Sequence, residues 1–197
     1  MNKVIACVDG AAYTLGVCDY ASWAAQRLEV PLEFLHVLDR HPERAAVTDY
    51  SGSIGLGAQD ALLQELASLD EQRSSLAQRH GRELLDGVSR RARDAGLARV
   101  DSRQRHGSLV ESLLDLEPEA RLFVLGQHHH TDTTRKLHLD HNVERAIRAL
   151  QSPVLVASGD YREPKQFAVA FDGSTTGHKM VETVARTPCS RTLPATS

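Results

Sequence analysis

Cysteine and aromatic residues are scarce in this 197-residue chain: three Cys, one Trp, and aromatics at 5% of the whole. Cys7, Cys18 and Cys189 are too scattered to frame a disulfide scaffold. Cys7 and Cys18 fall inside an apolar strand and a helix, where they read as small apolar residues of a reducing compartment. No apolar run approaches the roughly 18 residues of a membrane span, and the N-terminus opens into a strand rather than a signal peptide. The expectation is a cytoplasmic protein with no membrane partner. A net charge of -3 leaves no electrostatic footprint for nucleic acid. Also absent are a Gly-x-Ser-x-Gly elbow, a Walker lysine motif, His-Glu-x-x-His and His-x-Gly-His, so nothing points to a catalytic residue. The expectation is a protein that binds rather than turns over.

What the chain does have is a series of short, largely apolar runs. KVIACV at 3–8, LEFLHVL at 32–38, LFVLG at 122–126 and PVLVA at 153–157 show no polar alternation, the pattern of parallel strands covered on both faces. Residues 14–28 read as a helix with Leu15, Cys18, Ala21, Ala25 and Leu28 inward, completing a βαβ unit of fixed handedness. A long polar loop at 39–57 precedes a helix over about 59–95, whose intermittent stripe includes Leu62, Leu66, Leu69, Leu76, Leu84, Leu85 and Val88, with Gly96 as its C-cap. ARVDSRQ at 98–104 is polar enough for a strand near a sheet edge. Ser108 and Glu111 have the spacing of a capping box for LVESLLDLE. In NVERAIRAL, at 142–150, Val143, Ile147 and Leu150 form the inner stripe.

A ligand of an open α/β sheet sits beyond the carboxyl ends of its strands, so the residues between Gly126 and Asn142 lie where a site belongs. Five of the ten histidines are there: His128, His129, His130, His138 and His141. The ligand types suit Zn²⁺ or Ni²⁺, with His128, His130, His138 and His141 as metal candidates. Nothing in the pattern makes them converge, and a solvated loop is the simpler reading.

After a linker at 159–166, FAVAFDGSTTGHKMVETVA at 167–185 repeats the layout of 3–24: strand, Asp-Gly, turn, helix. The domains are therefore read as 1–158, linker, and a second copy begun at 167–197 and cut short.

VIACVDG at 4–10, EFLHVLD at 33–39, HGSLVESLLDLEPEARLFVLG at 106–126 and NVERAIRALQSPVLVAS at 142–158 together resemble the universal stress protein family, most of all its tandem members. The resemblance implies a five-stranded parallel sheet with helices on both faces, and pairing of domains through the last strand, here a homodimer through about 153–157. It implies an adenine-nucleotide site, ATP in many members. Asp9 and the backbone of Val37 would hold adenosine, and a glycine loop reaching from Gly126 past His129 to Asn142 would hold the phosphates. Bare glycines are needed there so that backbone N–H groups can approach phosphate oxygens. This chain carries His129 at the second glycine position and Asp140-His141 in place of Gly-Ser, so weak or lost ATP affinity is expected. The alternatives are a functional ATP-binding or slowly ATP-hydrolysing module and a metal-responsive binding protein. Asp9 and Gly126 also have a plain reading as turn residues at strand ends.

Overall fold

The computed structural model describes residues 2–38, 56–127, 141–187 and 195–196, with the side chains of 56–63 and 195–196 left aside. Its elements are β1 (Lys3–Cys7), α1 (Thr14–Leu28), β2 (Leu32–Leu38), α2 (Leu56–Asp94), β3 (Val100–His106), α3 (Leu109–Leu116), β4 (Ala120–Gly126), α4 (His141–Ala149), β5 (Val154–Ala157), β6 (Phe167–Ala168), α5 (Thr175–Arg186) and β7 (Ala195–Thr196). The first five strands form one parallel sheet in the order β3-β2-β1-β4-β5. This is the expected five-stranded sheet, and the polar strand β3 does lie at an edge. Alternate residues of each apolar strand serve opposite faces. Val4, Ala6, Val8, Leu32, Phe34 and Val124 pack under α1 and α2. Ile5, Leu35, Phe123 and Leu125 pack under α3 and α4. Both faces are covered, which is why the sequence shows unbroken apolar runs.

The caps follow from sequence. Gly96, at φ +95, ends α2 with its N–H on the Arg93 carbonyl while Leu97 reaches the Ala92 carbonyl, a Schellman motif. α1 ends in the same way on a residue with a side chain: Glu29 sits at φ +54, with Val30 bonded to Ala25.

Several expectations are corrected. Leu15 is 57% exposed, because the inner stripe of α1 runs through Val17, Cys18, Ala21, Ala24 and Ala25, which turns Leu15 outward. Ile147 is 42% exposed; α4 rests on the smaller Ala146, between Val143 and Leu150, which lets it lie close to the sheet. Leu66, Leu69 and Leu76 are exposed because only the C-terminal half of α2 packs, through Leu85, Val88 and Ala92. The strand read at 98–104 spans 100–106. Ser108 has the extended backbone of an N-cap, but its side chain makes no capping bond, and the Ser112 N–H bonds to its carbonyl instead. The linker at 159–166 is irregular chain, as read, and it lies along α1: Tyr161 stacks edge-on against Tyr20, Arg27 pairs with Glu163 at 3.8 Å, and Gly16 lies under the Gly159 carbonyl, where a Cβ would come within 2.2 Å.

One charged group is buried at the foot of the sheet. Glu33, the second residue of LEFLHVL and 3% exposed, meets Lys3 at 2.5 Å and Arg103 at 2.6 Å, and Glu119 joins the same two cations. Two positive and two negative groups balance, as a buried carboxylate requires. Burial alone would lower the Lys3 pKa, but bonds to Glu119 and Glu33 outweigh it and raise it; Lys3 in turn holds Glu119 below the usual carboxylate range.

Candidate functional site

The strand order reverses at β1, whose neighbours β2 and β4 feed helices on opposite faces, so a crevice opens beyond the carboxyl ends of these strands. A cavity of about 170 Å³ lies there. Its walls are largely apolar, and the strand side chains Cys7 of β1, Leu35 and Val37 of β2 and Leu125 of β4 share one parity, with Val8 and Gly126 beside them. Val17, Leu109 and Val143 from three helices complete them, and Asp9, Tyr13, Thr14 and Asn142 add polar groups. Among its described lining residues there is no lysine, arginine or histidine.

Asp9 follows β1 and builds the turn into α1. Its Oδ1 accepts the Ala11 N–H at 3.0 Å and lies 3.4 Å from the Thr14 hydroxyl, which accepts the Gly10 N–H at 3.1 Å. Gly10 has φ +81, a conformation that favours glycine. The turn role and the cavity position therefore coexist in one side chain. Gly126 closes β4 and touches α1: a Cβ there would sit 3.0 Å from Val17 Cγ2. Its smallness lets the helix approach the strand, whatever it offers a ligand. Asn142 stands in the first turn of α4, at the cavity.

The strand ends are tied together by a residue that polar-motif reading passed over. His36, 6% exposed, donates from Nδ1 to the Val8 carbonyl at 2.7 Å. A carbonyl only accepts, so Nδ1 carries the ring proton. The bond fixes the end of β1 beside β2 and with it the spacing of Asp9 and Val37. Gly81 of α2 backs onto this ring, where a Cβ would fall 2.6 Å from His36 Cδ2. The Cys7 thiol in the cavity wall is pushed up to about 12 by burial and by the charge of Asp9, which makes it a poor nucleophile.

Of the expected site residues, Asp9, Val37, Gly126 and Asn142 are brought together on one cavity. His129 lies outside the described residues, as do the metal candidates His128, His130 and His138. His141 is described, exposed, at the start of α4. Sequence reading missed Leu35, Leu109, Leu125 and Tyr13. The signal for the strand residues was their shared parity at the carboxyl ends.

A sequence model described as the universal stress protein family matches residues 1–158. The chain belongs to that family. It is similar to the universal stress protein Slr1230 of Synechocystis sp., 28% identical over 195 residues, which covers 98% of this chain and 68% of that protein. Among solved structures, the family's fold recurs in UspA from Lactobacillus plantarum, 18% identical with a TM-score of 0.51, covering 80% of this chain and 97% of that one. It recurs also in the universal stress protein from Archaeoglobus fulgidus in complex with dAMP, 14% identical with a TM-score of 0.51, covering 80% and 98%. Among the described residues no helix is long and apolar enough to cross a membrane.

Proposed function

We propose that this member of the family is a stress-response protein that acts by protein association rather than turnover, and that its cavity takes an adenine nucleoside or monophosphate weakly. The observation that carries this reading is the lining: apolar walls suited to a base, one carboxylate at Asp9 for a sugar hydroxyl, and no cation among the described lining residues. A triphosphate brings several negative charges, and among the described lining residues no lysine or arginine offsets them. Sequence adds Asp140 and His141 where a glycine loop would cradle phosphate. The relative solved with dAMP holds a monophosphate, which is consistent with this reading.

A functional ATP module is the second reading, favoured by the N-terminus of α4 at the cavity, where Asn142 lines the wall and the helix dipole attracts anions. Calorimetric titration separates the two. We expect adenosine, AMP and Mg²⁺-ATP to bind within a few-fold of one another, and a dissociation constant for Mg²⁺-ATP below about 10 µM, much tighter than AMP, would establish the second reading instead.

Two further parts of the reading concern assembly. The half-buried outer strand β5, continuous with 153–157, presents an open edge that suits pairing with a second copy. Residues 167–197 are read as the opening of a second family domain, supported by the turn at Asp172–Ser174, which has the local geometry of Asp9–Ala11.

A further inference from the structure

Half of α2 stands clear of the packed domain. The helix is 39 residues long, about 58 Å at 1.5 Å per residue, yet every described side chain from 64 to 77 is exposed, and deep burial begins only at Gly81. It passes the turn at Gly10 with His80 and Leu84, and continues beyond the carboxyl ends of the strands. On this free half Leu66, Leu69 and Leu76 are 42%, 48% and 58% exposed. With Arg73 they recur at intervals of three, four and three residues, the a and d positions of a heptad seam.

We propose that this seam pairs with the same seam of a second copy of the chain, the two helices running antiparallel. The charges on its flank choose both the partner and the direction. Glu65, Gln72 and Arg79 lie seven residues apart along one side of the seam. Antiparallel pairing centred on this stretch sets Glu65 opposite Arg79 of the second copy and Arg79 opposite its Glu65, with Gln72 beside its own counterpart. In the same register Leu66 faces Leu76, and Leu69 faces the aliphatic stem of Arg73, whose head group leaves the seam for water. Asp70 meets its counterpart on the other flank, with Arg73 of the second copy beside it. Parallel pairing would instead stack Arg73 on Arg73 and set Glu65 against Asp70, like charges in both places. The axis falls near Gln72, about nine residues or 13 Å from Gly81, so the cavity ends of two domains face each other across the paired helices. This surface is distinct from the β5 edge.

The test is sedimentation analysis of the full chain over roughly 1 to 100 µM, with circular dichroism to confirm that each variant is folded. We expect a concentration-dependent association through the seam, separate from any pairing at the β5 edge, that Leu69→Asp and Leu76→Asp each weaken at least about tenfold. Glu65→Arg and Arg79→Glu each weaken it about threefold to tenfold. In the mixed dimer of those two variants positions 65 and 79 meet only opposite charges, so an equimolar mixture regains the wild-type affinity; so does the double variant E65R/R79E. The proposal fails if the wild type is a monomer throughout, if Leu69→Asp leaves the dimer intact, which would assign it to the β5 edge, or if the mixture associates no better than its components.

Discussion

At Asp9–Gly10–Ala11 and again at Asp172–Gly173–Ser174 the chain makes the same turn: a carboxylate accepts the amide two residues on, at 3.0 and 2.9 Å, and the glycine takes φ +81 and +75. A helix follows each. Around the first, β1 lies between β2 and β4 with Val4, Ile5 and Ala6 at 0% exposure. Around the second, β6 pairs with β7 over two residues, and Phe171, Met180 and Val181 are exposed. The difference teaches that an Asp-Gly turn is local chemistry, whereas a site needs neighbours. Val37, Gly126 and Asn142 reach the first turn from three other elements, and among the described residues nothing comparable surrounds the second.

The contrast breaks most completely if the sheet around the first turn is loosened. Glu33→Ala leaves Lys3 and Arg103 without their shared buried partner, and we expect a loss of about 3 kcal/mol in denaturant unfolding, since removing one member of a buried ion pair strands the others. A loss below about 1 kcal/mol would mean that Glu119 alone balances both cations.

A matched pair of variants sharpens the contrast. Asp9→Ala removes a turn inside the cooperative domain and should cost about 1 kcal/mol in global stability. Asp172→Ala removes the matching amide bond where little is packed. There the Ser174 side chain and amide hold the carboxyl below the usual carboxylate range, so the effect should be confined to faster amide exchange at Ser174, with the melting midpoint unmoved. Equal losses in the two variants would show that the second turn belongs to the same cooperative unit.

The smallest effect is a gain. Glu29 occupies a left-handed cap that glycine fills without strain, so Glu29→Gly should stabilise by roughly 0.5 kcal/mol, the relief of the Cβ clash less the added freedom of the unfolded chain. A melting curve shifted down rather than up would assign Glu29 a contact that the cap geometry does not reveal.

Much of the architecture was legible because burial on both faces writes itself as continuous apolar strands. The edge position of β3 was legible from Asp101, Arg103 and Arg105. Helix orientation was less so. Leu15 and Ile147 are good core residues by type, but small neighbours such as Ala146 allowed closer approach and took the inward positions. For α2, periodicity gave a helix but could not show that its stripe outruns the domain. Of the site, the polar residues were legible and the apolar walls were not, since Leu35 and Leu125 look like any core leucine until the register sets them at one end of the sheet. Glu33 was hidden by the apolar run around it. Its partners Lys3 and Arg103 come from the flanking strands, which no local window joins.

The absence of a side chain at Gly16 admits the carbonyl of Gly159 against the flank of α1. The polypeptide thereby leaves the sheet along a set path, held by Tyr161 and Glu163. Cargo attached beyond residue 166 would depart from the α1 side with a defined heading, and a methyl group at position 16 would be enough to unmoor it.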